Sequence, residues 1–261
     1  MRSFAKFAVA TFIATAFWTV AAPASADEVD CMKCHAALVV RQKVQHAAVQ
    51  MGCPSCHSGI TDALKVPHTK TTTFPKGLSA DQPDLCYGCH DKEKFTKKHV
   101  HPAIGMGCTS CHNPHASQNE KLLVATVPDL CFNCHDKADF TRKNVHVPVE
   151  GGMCLDCHDP HSSDSYWLLQ KDQLELCTGC HDTITKKPHV ISGFGPAKGH
   201  PLGAPRKDKK TKKMKLPEDP ARKGKPFACS SCHNPHSSDS IHLFRYPAKS
   251  AMELCVNCHN F

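Results

Sequence analysis

The chain has 261 residues, a formal charge of +8 with histidine neutral, 18 cysteines and 20 histidines, but only 2 tryptophans and 3 tyrosines. Length alone allows one or two domains, while so many cysteines and so few large aromatics argue against an ordinary apolar core as the organising principle. The modest basic balance does not by itself indicate a nucleic-acid partner.

The chain opens with Arg2 and Lys6, an apolar run from Phe7 to Ala22, and then Pro23-Ala24-Ser25-Ala26. A basic n-region, an apolar h-region and a small-residue cleavage site predict an export signal over 1–26. The run is shorter than the roughly 20 apolar residues a membrane span needs. Export is therefore expected, to the periplasm, the outer-membrane surface or the outside of the cell, with no integral span after cleavage. Disulfides form in such compartments, and eighteen cysteines make them the competing reading.

The cysteines decide between the two. They fall as Cys31 and Cys34, Cys53 and Cys56, Cys86 and Cys89, Cys108 and Cys111, Cys131 and Cys134, Cys154 and Cys157, Cys177 and Cys180, Cys229 and Cys232, Cys255 and Cys258. Each pair has two residues between its members and a histidine directly after: His35, His57, His90, His112, His135, His158, His181, His233 and His259. Cys-x-x-Cys-His is the attachment signature of a c-type haem: two thiols for thioether bonds and an adjacent imidazole for the iron. A disulfide framework has no use for a histidine after every second cysteine, and so short a loop constrains an unfolded chain little. The cofactor expected is nine covalently attached haem c.

The motifs recur in pairs. Offsets between first cysteines are 22, 22 and 23 residues in the first three pairs, which implies stacked copies of one unit. The predicted units are 27–85, 86–130, 131–176 and 177–254, the last with a basic insertion over 204–226, followed by a terminal motif in 255–261. Runs 36–45, 91–100 and 136–145 are polar and predict a short helix after each first motif. The stretch 206–225 is rich in lysine and arginine and predicts an exposed, mobile loop, with solvation, an acidic redox partner, or membrane or nucleic-acid binding as its readings.

Eleven histidines lie outside the motifs, enough to give each iron a second imidazole. His46, His101, His146 and His200 precede second motifs, and His68, His115, His161 and His236 follow them. His115 is three residues from His112, too close to reach the far face of the same porphyrin, so it is expected to serve another haem, most simply that of Cys86 and Cys89; His161 and His236 follow suit. For the ninth ligand His242 is favoured at the terminal haem, with His189 and His99 as alternatives. Met51, Met106 and Met153 precede motifs and are expected to pack rather than ligate. Two imidazoles per iron imply low-potential haems without a vacant position.

The tandem motifs and the Cys-His-x-Pro-His form at 111–115, 157–161 and 232–236 resemble the doubled-motif multihaem cytochromes of metal-respiring and sulfur-cycle bacteria. The resemblance spans about residues 28–261, with the first and fourth pairs departing from the pattern. It implies a fold of coil and short α-helices cored by haem, and a periplasmic or extracellular electron carrier. Its partners would be other cytochromes, quinol-oxidising complexes or terminal reductases. No catalytic residue is assigned, and the chain is expected not to be an enzyme. Two alternatives stay open: a reductase subunit acting on a small oxyanion, and the periplasmic half of a conduit seated in an outer-membrane porin.

Overall fold

The computed structural model describes residues 30–186, 189, 200, 202 and 206–260. The expected export signal and most of 190–205 lie outside the described residues. Within them the chain is mostly irregular, punctuated by single helical turns and ten very short strands. In chain order the strands are β1 (Val44–Gln45), β2 (Ile60–Asp62), β3 (Thr69–Lys70), β4 (His99–Val100), β5 (Ala116–Ser117), β6 (Asn144–Val145), β7 (Ser162–Ser163), β8 (Arg206–Lys207), β9 (Met214–Lys215) and β10 (Ser237–Ser238).

The helices predicted over 36–45, 91–100 and 136–145 are each cut short. One tight turn forms at Ala36–Leu38, Lys92–Phe95 and Lys137–Phe140, and the chain is then extended into β1, β4 and β6. Asp91 and Asp136 start two of these turns by accepting the backbone N–H of Glu93 and Ala138. A full helix would hold residues 44–45, 99–100 and 144–145 in local hydrogen bonds. Here their bonds go to another unit instead.

Three antiparallel ladders make that link. Val44 pairs with Ser117 and Gln45 with Ala116; His99 pairs with Ser163 and Val100 with Ser162; Asn144 pairs with Ser238 and Val145 with Ser237. Each ladder joins the segment before a second motif to the segment after the second motif of the following unit. Beyond each ladder the backbone N–H of His46, His101 and His146 donates to the carbonyl of His115, His161 and His236, at 2.8, 2.8 and 3.0 Å.

Small residues permit this close approach. Ser162 and Ser237 are fully buried, and their hydroxyls donate to the carbonyls of Lys94 and Asp139. Ser117, Ser163 and Ser238 donate to the carbonyls of Leu123, Leu169 and Phe244, so the buried hydroxyls are satisfied. Apolar burial is slight. Among the described residues only Val39, Ala116, Leu169, Ala228, Phe244 and Ala248 are buried hydrophobics, three of them alanines. That is far too little to hold a chain of this length by itself.

The ends of the array are closed differently. In the first unit the stretch after the second motif forms its own hairpin, with β2 pairing β3. At the far end the insertion supplies a second hairpin, β8 with β9, and then a packed segment over 217–227. This segment corrects the expectation of a uniformly exposed loop. Asp219, only 2 % exposed, pairs with Arg222 at 2.7 Å, and Arg222 also donates to the hydroxyls of Ser230 and Ser231. The guanidinium lies 5.4 Å from the ring centre of Trp167, and the Lys225 ammonium sits over both Tyr166 and Trp167.

Candidate haem centres

Each motif forms one helical turn. In all nine the N–H of the motif histidine donates to the carbonyl of the first cysteine, at 2.9–3.0 Å. Residues at positions i, i+3 and i+4 of such a turn share a face, so both thiols and the imidazole are presented together. None of the eighteen cysteines is disulfide-bonded.

Opposite every motif histidine stands a second imidazole. His35 faces His68, His57 faces His115, His90 faces His46, His112 faces His161 and His135 faces His101, with ring centres 5.9, 6.0, 6.0, 5.9 and 6.2 Å apart. His158 faces His236, His181 faces His146, His233 faces His189 and His259 faces His200, at 5.9, 6.0, 6.1 and 5.8 Å. Two imidazoles bound to opposite sides of one metal ion, at about 2 Å per metal–nitrogen bond, have ring centres about 6 Å apart. The residues present therefore fit a bis-imidazole iron at all nine positions. Among the described residues no three His, Cys, Asp or Glu side chains converge as a chelating cluster.

The ring nitrogens are set for this. His57, His112, His158 and His233 donate from Nδ1 to the carbonyls of Lys76, Lys121, Trp167 and His242, at 2.9, 2.8, 2.9 and 2.7 Å. Those four acceptors all have left-handed φ, between +52° and +60°, and each is followed by a second left-handed residue, Gly77, Leu122, Leu168 or Leu243. The double left-handed turn aims the carbonyl at the ring. On the facing side His46, His101 and His146 donate from Nδ1 to the carbonyls of Pro114, Pro160 and Pro235, and His68 to that of Lys65. Fixing the proton on Nδ1 leaves the Nε2 lone pair for a metal. Burial lowers the pKa of His115, His146, His158, His161, His200 and His233, and takes that of His236 down to about 4, so these rings are neutral at pH 7.

The pairing differs from the expectation in which unit is served. His115, His161 and His236 face the second motif of the preceding unit, not the first motif of their own. The ladders are the cause, because they carry the segment after Pro114, Pro160 and Pro235 onto the unit before. An Asx turn completes the placement: the side-chain oxygens of Asn113, Asp159 and Asn234 accept the N–H of His115, His161 and His236.

His242 is the other correction. Its ring lies against Phe244 and faces no motif histidine; its carbonyl is what the site uses. His200, expected within the fourth pair, faces the terminal His259, and His189 takes the place opposite His233. His99 packs on Tyr166 at 4.8 Å. Met51, Met106 and Met153 are exposed beside their motifs. Sequence reasoning missed Phe95 and Phe140, which pack on the rings of His161 and His236 at 4.8 and 4.7 Å. A signal was present: each is nine residues after a first cysteine and is paired with an aromatic directly after that cysteine, Tyr87 or Phe132.

Successive motifs are neighbours throughout. First cysteines lie beside one another in pairs, Cys31 with Cys53, Cys86 with Cys108, Cys131 with Cys154 and Cys177 with Cys229. Between these pairs Cys56 lies near Cys86, Cys111 near Cys134, Cys157 near Cys177 and Cys180, and Cys232 near Cys255 and Cys258, close enough that the neighbouring thiols disfavour ionisation of Cys86, Cys111, Cys157 and Cys232. Burial together with the partner thiol pushes Cys86 and Cys131 up to about 11. The nine centres thus follow one another in sequence order without a gap.

Comparison with known proteins agrees with this repeat. A family described as "Doubled CXXCH motif" matches residues 46–95, 101–140, 146–186 and 219–261, well over half of the chain. Three of the four matches begin on His46, His101 and His146, so they frame the repeat half a unit away from boundaries at 85/86, 130/131 and 176/177. Both framings describe one array, since each motif touches its neighbours on either side. No curated protein matches the chain.

Proposed function

The chain belongs to the doubled CXXCH motif family, the multihaem c-type cytochromes, and from that premise we propose that it conducts electrons along nine haems between redox partners outside the cytoplasm. The observation that carries this reading is the facing of all nine motif histidines by a second imidazole. When bound, each haem supplies a one-electron Fe(III)/Fe(II) couple. The protein's part is to hold the centres and tune them. The motif turns present thiols and proximal imidazoles, the ladders carry distal imidazoles across from adjacent units, and the backbone carbonyls at Nδ1 orient the rings and raise their basicity as ligands.

Cross-unit ligation matters for conduction. A histidine from one unit serving the centre of another locks the spacing of successive centres, which is what electron hopping requires. With haem bound, a second imidazole at each centre would leave no open position for a substrate, which favours conduction over reduction of a small oxyanion. The partners in this reading are other exported redox proteins, with a sheathing porin as a further candidate. Among the described residues no helix is long and apolar enough to cross a membrane.

The test is the intact mass of the exported protein made with a haem-maturation system, combined with an anaerobic reductive titration. The expected result is a chain beginning at Asp27 with nine haems, taking up nine electrons reversibly. A haem-free mass, or uptake of electrons by only a subset of centres, would contradict it.

A further inference from the structure

We propose that the β8–β9 hairpin is the docking surface for an acidic electron-transfer protein, which exchanges electrons with the C-terminal centres of His233 and His259. The proposal rests on the conduction reading above and names the end of the array that a partner uses.

Residues 206–215 hold seven basic side chains against one acidic, Asp208. Asp208 offsets one of them and leaves six in excess, and its carboxylate is held by the turn. It accepts from the N–H of Lys210 at 2.9 Å, and from the N–H and hydroxyl of Thr211 at 2.6 and 3.0 Å. Lys207, Lys209, Lys210, Lys212, Lys213 and Lys215 are all exposed, and among the described residues none is in an ion pair. The cations just beyond are used differently: Arg222 is tied to Asp219 and stacked on Trp167, and Lys225 sits over the same aromatic pair. One part of the insertion is an anchor and the other is left presenting charge.

The anchor also fixes where that charge sits. Two residues after β9, the carbonyl of Pro217 accepts the N–H of Phe227 at 2.7 Å, and Arg222 holds Ser230 and Ser231 inside the motif of His233. The Phe227 ring lies 5.3 Å from that of His200, which faces His259 at 5.8 Å. A hairpin whose second strand runs directly into this anchor is tethered to the last two centres of the array. Met214, 66 % exposed on β9, gives the patch an apolar contact within the basic rim, the composition expected of a transient redox interface. Since electron tunnelling weakens steeply with distance, a partner steered here meets the array at its end.

The probe is a plant-type [2Fe–2S] ferredoxin, an acidic low-potential electron donor, used with the full-length holoprotein. Binding of oxidised ferredoxin is measured by calorimetry and electron transfer from reduced ferredoxin by stopped flow, at low and high salt. Two triple variants are compared: Lys209→Gln, Lys210→Gln, Lys213→Gln in the hairpin, and Arg41→Gln, Lys43→Gln, Lys70→Gln in the first unit. All six side chains are exposed, so haem content serves as the control for folding. We expect the hairpin variant to weaken binding and slow the second-order rate by about tenfold at low salt, and the first-unit variant to match wild type. Added salt should abolish the difference. Equal loss in both variants, or none in the hairpin variant, would overturn the proposal. So would a hairpin variant that loses only its adherence to phosphatidylserine vesicles. Ferredoxin that binds wild type at the hairpin yet passes it no electrons would retain the surface and overturn the conduction reading instead.

Discussion

Replacing His189 by alanine is expected to open one haem in nine, while replacing His242 by alanine leaves all nine closed. The two residues are among the three competing sources of the last distal ligand, with His99, and the structure separates them. The His189 ring lies 6.1 Å from that of His233, whereas the His242 ring turns away to Phe244. In H189A the iron opposite His233 loses its second imidazole, becomes high-spin when oxidised, and binds about one equivalent of carbon monoxide per protein when reduced. In H242A the carbonyl that holds Nδ1 of His233 remains, because it belongs to the backbone. The conformational cost there is small, since histidine and alanine both carry a Cβ at φ +52°, and no ligand changes. Carbon monoxide uptake by H242A equal to that of H189A would refute the assignment.

Excising residues 101–145 is expected to yield a folded protein with seven haems. The cut joins Val100 to His146, and the two ladders it merges are alike. His99–Val100 pairs with Ser163–Ser162 just as Asn144–Val145 pairs with Ser238–Ser237, and each is followed by a histidine whose N–H and Nδ1 meet a Pro-His pair. The centres of His112 and His135 leave with the segment, along with the distal His101 and His115. His161 then takes the position of His115 opposite His57, as His46 continues to face His90. Because stability in stacked arrays is close to a sum of unit and nearest-neighbour contributions, an internal unit can go when a terminal one cannot. Removing residues 58–80 instead takes away the β2–β3 hairpin and His68, and should cost the first haem its ligand and the array its closed end. A seven-haem product that is protease-sensitive throughout would show that the units are not interchangeable.

Much of the site could be read in the sequence, because Cys-x-x-Cys-His is a local motif. Both thiols and the imidazole are arranged within a single turn, and nothing distant has to be known. The supply of distal histidines was also legible, since eight of the nine facing rings were named from their place in the repeat. What sequence could not give was which unit each serves. That depends on two-residue ladders such as Val44–Gln45 with Ala116–Ser117, whose serines and alanines carry no strand signal of their own. His242 shows a second limit. Its equivalence with Lys121 and Trp167 was visible, but the position is defined by its left-handed backbone and its carbonyl, so the identity of the side chain misled. Likewise the expected helices over 91–100 and 136–145 gave way where the chain must extend to pair with β7 and β10. The basic insertion divides for a similar reason, as Asp219 and Arg222 fold one part onto Ser230 and Ser231 while Lys207–Lys215 remain outside.

The measurement that tests the central claim most directly is low-temperature electron paramagnetic resonance of the fully oxidised holoprotein, with the signal integrated against its haem content. An array in which every motif histidine is faced by a second imidazole predicts nine low-spin haems and no high-spin component. A high-spin signal amounting to one or more whole haems in the wild-type protein would contradict it, and would identify a centre open to substrate.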